Sequence, residues 1–160
     1  MNAQVETAAP AELRGVLLPL QAEQQLLLPN TSLSEVVGYR MPEQRPDDAP
    51  DWLLGTLLWR QFQVPLVSYD LLLDPARREI GQRARIAICN SIAGNPRRPY
   101  LAILLRTIPR LARISEETLV PLDQPGESPP MLARHVRIGD QQAWIPDLDA
   151  LEAELERILG

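Results

Sequence analysis

Few side chains in this sequence could do covalent or acid–base chemistry, and their spacing limits each of them. His135 is the only histidine and Cys89 the only cysteine. A single imidazole holds a metal only with help, and Asp140 and Asp147 would give at most a weak mixed site. Cys89 with His135 could in principle form a nucleophile–base pair. Cys89, however, ends the apolar run Ile86, Ala87, Ile88, where a free thiol behaves as a small hydrophobe. His135 falls in an expected strand, as a structural imidazole. The paired carboxylates, Asp47 with Asp48 and Glu116 with Glu117, fall in loops or turns, where solvated charge is the default. The glycines are dispersed and make no phosphate cradle. No catalytic constellation, metal site or cofactor motif emerges; a thiol enzyme built on Cys89 is the one enzymatic alternative.

Binding chemistry is easier to place. All sixteen basic residues are arginines, a bias that a GC-rich genome explains and that suits bidentate pairing at interfaces. Arg60 is the arginine set apart by position. It lies between two apolar runs, Leu53–Trp59 and residues 62–68, joined only across Arg60 and Gln61. Each run is strand-length and bounded by polar or turn residues, which predicts a β-hairpin largely buried on both faces. So short a connection makes the runs antiparallel neighbours. A guanidinium at the tip of an apolar hairpin must face water or a partner. The doublets Arg77, Arg78 and Arg97, Arg98 fall in connections and keep those loops wet.

The elements that must hold this hairpin are short. With 160 residues, 45% hydrophobic and 23% charged, the chain is one domain or two small intertwined lobes. A net charge of −5 argues against nucleic acid as a partner, because phosphate-backbone binding needs a basic face. Aromatics at 4% are too sparse for a single-strand stacking platform. One cysteine excludes an internal disulfide and suits a reducing compartment. The first residues lack the basic and apolar regions of a signal peptide, and no apolar stretch reaches bilayer length. A cytoplasmic protein with no direct membrane insertion is expected.

Residues 1–12 read as a flexible tail. Residues 13–20 and 24–28 read as a first hairpin, with Pro19 and Pro29 at strand ends. Asn30, Thr31 and Ser32 offer caps for one helical turn carrying Leu33, Val36 and Val37, but 35–39 could equally be a strand. Residues 41–50, with three prolines and three acids, are a loop. After the central hairpin come a helical turn at Tyr69–Leu73 and a linker at 74–82. Strands follow at Arg85–Asn90 and 100–107, separated by the turn signal Gly94, Asn95, Pro96. Residues 108–114 form a strand bent at Pro109, Leu119 and Val120 a short one, and 123–130 a mobile loop. Leu132–Ile138 and residues 141–145 make a hairpin through Gly139 and Asp140. A closing helix follows, with Asp149 and Glu152 as a capping box and Leu148, Leu151, Leu155, Ile158 and Leu159 on one face. Many short strands with close turns predict small barrels or a sandwich.

The residues now in view resemble the CheW-like domain, the coupling module of bacterial chemosensory arrays. Leu33, Ser34, Glu35, Val36, Val37 match its V-x-E-[IV] motif; Ala49, Pro50, Asp51, Trp52 match its proline loop and aromatic. Gly55 and Arg60 match its G-x-x-x-x-R-G hairpin, and Val64, Pro65, Leu66, Val67 with Asp70, Leu71 match the return strand. The last hairpin and closing helix fit as well, so the likeness runs over roughly residues 13–159. Two departures stand out. Gln61 replaces the hairpin glycine, which predicts a different turn type. Ser68 and Tyr69 precede Asp-Leu, as in the branch associated with type IV pilus chemosensory systems.

The resemblance implies an all-β fold of two small intertwined five-stranded SH3-like barrels with a C-terminal helix. It implies one domain over 13–159, with a first lobe near 13–75, a second near 83–146 and the closing helix at 147–159. It implies no enzymatic activity and no cofactor. The implied partners are the cytoplasmic tip of a methyl-accepting chemoreceptor and the regulatory domain of a CheA-type histidine kinase. Receptor-contact residues of the family fall on Leu33, Glu35 and Arg60. The plain alternatives are that Glu35 and Arg60 simply pair on the surface, worth at most about 1 kcal/mol, or that the barrels bind another protein or a nucleic acid.

Overall fold

A computed structural model describes residues 13–122 and 129–160, apart from the side chain of Ala22. The expected tail at 1–12 and most of the loop at 123–130 lie outside the described residues.

Among the described residues, eleven strands form two sheets. They are β1 (Leu13–Pro19), β2 (Gln25–Pro29), β3 (Leu33–Gly38), β4 (Leu53–Trp59), β5 (Phe62–Val67), β6 (Arg85–Asn90), β7 (Tyr100–Leu105), β8 (Arg110–Ile114), β9 (Leu119–Pro121), β10 (Leu132–Ile138) and β11 (Gln141–Pro146). The first sheet has the order β8-β1-β2-β11-β10-β9 and the second β3-β6-β7-β5-β4. Two helices complete the fold, α1 (Tyr69–Leu73) and α2 (Leu148–Leu159). The all-β architecture with a closing helix is as expected, with one strand more than five in the first sheet, the three-residue β9. The sheets do not divide the chain near 75–83. It enters the first sheet through β1 and β2, builds the second with β3 to β7, and returns to the first with β8 to β11.

This weave explains why so many strands read as unbroken apolar runs. The largest core lies where Val16, Leu18, Leu26 and Leu28 meet Val67, Ala87, Cys89, Leu101 and Ile103 of the second sheet and Tyr69 of α1, sealed by Leu148, Leu151 and Leu155 of α2. The second sheet also buries its other face, around Leu57, Trp59, Leu66, Ile86 and Ile88. The first sheet does likewise around Leu17, Leu27, Val136 and Ala143. A strand covered on both faces has no polar side to alternate with.

One alternative left open by the sequence is decided, and two local outcomes differ from the sequence reading. Asn30–Ser32 is a single 3₁₀ turn and Leu33–Gly38 a strand, so the strand option holds, as two adjacent valines favour. The α2 cap is Asp147, which accepts a hydrogen bond from the Ala150 amide at 3.0 Å, and not Asp149. Glu152 is thereby released from the capping box. Its carboxylate accepts from the Ser91 hydroxyl, from the Ile92 amide at 2.9 Å and from the Ala93 amide at 3.2 Å, tying α2 to the β6–β7 loop.

Two contacts of α1 join the sheets. The Tyr69 hydroxyl donates to the Met131 carbonyl at 3.1 Å, and the Asp70 carboxylate accepts from the Gln21 amide at 2.7 Å. Ser68, read only as an insertion, caps α1 through its Oγ, which accepts from the Leu71 amide.

Candidate functional site

The central hairpin places its tip against the second-sheet edge strand β3. Leu57 pairs with Val64 and Trp59 with Phe62, leaving Arg60 and Gln61 as the two-residue turn. Both turn residues are left-handed, with φ of 47° and 71°. Gln61 therefore keeps the conformation that glycine would favour, and the expected change of turn type does not occur. A turn with both central residues at positive φ is one of the two that match the twist of the flanking strands, and the burial on each side fixes that register. Gly55 is needed for a different reason: at its φ of 142°, a Cβ would come within 2.6 Å of the Gln44 carbonyl oxygen.

The turn aims Arg60 back over its own strand. Its guanidinium carbon lies 4.4 Å from the centroid of the Trp59 ring. Glu35 of β3 meets both groups: its Oε1 accepts from Trp59 Nε1 at 3.2 Å and from Arg60 Nη2 at 3.4 Å. Trp59 is held edge-on by Tyr100 at 4.8 Å, and Tyr100 is packed in turn by Phe62. The cluster is therefore an ordered platform on the second sheet, with a buried aromatic base and a charged top. Glu35 and Arg60 do pair on the surface, as the plain alternative had it. An exposed pair contributes roughly 0.2–1 kcal/mol and an exposed cation–π contact about 0.5–1 kcal/mol. Neither uses up the fork of donors on Arg60, whose side chain stays 63% exposed.

Leu33 is not part of this platform. Leu33 pairs with Cys89 and Glu35 with Ile88, so a bulge at Ser34 gives two residues on β3 for one step on β6. Cys89 faces the inter-sheet core and Ile88 the opposite side. Leu33 follows Cys89 and packs half-buried on the inter-sheet core. The structure joins Glu35 with Arg60 and sets Leu33 on the other face. Sequence reading missed Trp59, although an aromatic beside a hairpin-tip arginine was the available signal.

The groups considered for catalysis are differently placed. Cys89 is fully buried, its Sγ lies 3.9 Å from the Ala87 carbonyl, and burial pushes its thiol up to about 12. His135 stacks on Trp144 at 4.3 Å, and partial burial lowers its pKa. Among the described residues, no group of three or more His, Cys, Asp or Glu side chains could hold a metal ion. No described helix is long and apolar enough to cross a membrane.

The family model for the CheW-like domain matches residues 14–156. The chain belongs to the CheW-like domain family. That match takes in both sheets, the central hairpin and most of α2. Among solved structures, the CheW-like fold of this chain is similar to that of the scaffolding protein TtCheW from Thermoanaerobacter tengcongensis. The TM-score is 0.69 and the identity 18%, over 88% of this chain and 87% of that one. At that identity the likeness speaks to fold alone. No curated protein matches the sequence.

Proposed function

We propose that this CheW-like chain is a non-enzymatic adaptor in a bacterial chemosensory array, flagellar or type IV pilus, coupling a chemoreceptor to a CheA-type histidine kinase. What carries the reading is that the family match spans residues 14–156 and leaves no further domain within it for chemistry. The chain's function is then to hold two partners together in the cytoplasm. The receptor tip, a helical hairpin, would meet the platform of Glu35, Trp59 and Arg60. There the charged pair sets register and partner choice more than affinity, because exposed charges steer and discriminate but contribute little net binding energy. The aromatic base holds Arg60 in one orientation before binding, so less side-chain entropy is lost on contact. Leu33, facing the inter-sheet core, supports the strand that presents Glu35.

The test is binding of the purified protein to a soluble receptor-tip fragment and to the regulatory domain of the cognate histidine kinase, separately and then together. Simultaneous binding of both is expected. Binding to neither removes the coupling function while leaving the family assignment untouched.

A further inference from the structure

The second sheet protects its outer edge at β4. The Glu43 amide donates to the Thr56 carbonyl, the Thr56 amide to the Gln44 carbonyl, and Arg40 to the Leu58 carbonyl. At the edge of the first sheet, β8 is treated differently. Among the described residues it pairs with β1 alone. Among the described residues, no backbone bond outside that pairing involves residues 110–114. An unpaired strand edge is a template for another strand.

The side chains on this edge carry one sign of charge. Arg14 of β1 and Arg113 of β8 stand directly opposite each other in the antiparallel register, hence on one face of the sheet. Like charges so placed disfavour the pair unless an anion lies between them. None of the six ion pairs among the described residues involves either arginine. Beside them on that face is Leu111, 75% exposed. Arg14, Arg113, Leu111 and Ala112 line a cleft of about 230 Å³. In a chain of net charge −5, two facing guanidiniums in no ion pair with a carboxylate among the described residues are a local reversal of sign.

We propose that β8 is a docking edge for an extended acidic segment of a partner protein, added as a further strand with a carboxylate against Arg113 that the Arg14 guanidinium reaches across β8, and an apolar side chain on Leu111. Charge on an edge strand is also a common guard against strand addition. A guard, however, needs no two arginines opposed across the ladder and no exposed leucine beside them. The free backbone and Leu111 select a polypeptide over a nucleic acid, which would meet only two phosphate contacts here. This inference does not depend on the coupling function.

The test titrates the isotope-labelled full-length protein with a short synthetic peptide alternating glutamate and valine, following backbone amides by NMR. The control peptide has lysine for glutamate. Saturable shifts centred on residues 110–114 are expected, weakening with added salt. Affinity should fall about tenfold in the double variant Arg14→Glu, Arg113→Glu. Leu111→Asp, a change at an exposed site, should weaken binding too and decides the matter if the double variant misfolds. Shifts elsewhere, no saturation, equal binding of the lysine peptide, or displacement by oligothymidylate would each overturn the proposal.

Discussion

Leu33 and Glu35 are separated by one residue on β3 and lie on opposite faces of the second sheet, Leu33 with Cys89 over the inter-sheet core and Glu35 with Ile88 beside Trp59. A strand without a bulge would put both on one face. The consequence is that mutating the two positions separates folding from binding. Leu33→Ala should lower stability by about 1–2 kcal/mol, the share of a half-buried leucine, and leave receptor-tip affinity unchanged. Arg60→Glu should do the reverse, weakening receptor-tip binding with the melting temperature nearly unaltered. Urea midpoints and titrations on the same preparations check both. Equal losses of affinity from the two variants would mean the partner reaches both faces.

Gln61 occupies a left-handed position, φ 71°, that costs a side-chain-bearing residue about 1–2 kcal/mol. Glycine removes that strain and gives back about 0.5–1 kcal/mol in unfolded-state entropy. Gln61→Gly should therefore raise stability by a net of about 0.5–1 kcal/mol without changing receptor-tip binding. A fall in the urea midpoint would show that the Gln61 side chain makes a stabilising contact in the turn.

What was legible in the sequence follows from how local its cause is. The hairpin at 53–67, the last hairpin through Gly139 and the helical turn at Tyr69–Leu73 are set by neighbours in sequence, and all three appear. That the two lobes intertwine was expected, but which strands enter which sheet was not legible, because apolar runs such as Leu26, Leu27, Leu28 specify burial on two faces without naming the covering strand. Here β2 runs parallel to β11, more than a hundred residues on. The cap at Asp147 was missed because Asp149 with Glu152 has the same local spacing. What decides between them is the long-range claim of the Ser91 loop on Glu152. At the candidate site, Arg60 was readable from its place at the turn, whereas the separation of Leu33 depends on a bulge fixed by pairing with β6.

The closing helix is held in two ways that can be measured apart. Leu155 is 1% exposed, so Leu155→Ala should cost roughly 2–5 kcal/mol through lost burial and the cavity left behind. Glu152→Ala removes an acceptor shared by one hydroxyl and two amides, at about 1–3 kcal/mol. Its signature should be local, with faster hydrogen exchange at Ile92 and Ala93 while the core amides stay protected. An unchanged urea midpoint for Leu155→Ala would mean that α2 is not docked in solution.

Asp70 links pH to the joint between the sheets. Burial raises its pKa from 3.8, against the opposing effects of the Gln21 amide, Arg77 and Arg106. The folded protein thus binds this proton more tightly than the unfolded chain does. The stability Asp70 contributes by taking up that proton is complete below the unfolded value and is lost as pH rises through the higher folded one. Asp70→Asn keeps an oxygen for the Gln21 amide and abolishes the titration. Other carboxylates titrate alike in both proteins, so the stability of Asp70→Asn relative to wild type should climb as pH rises from the unfolded carboxylate value of 3.8 through the higher folded one. Asp70→Ala instead strands the Gln21 amide and should cost about 1–3 kcal/mol. Urea denaturation of the three proteins at several pH values reads both effects. A pH-independent difference for Asp70→Asn would place the carboxyl in water and sever it from the joint it makes with Gln21.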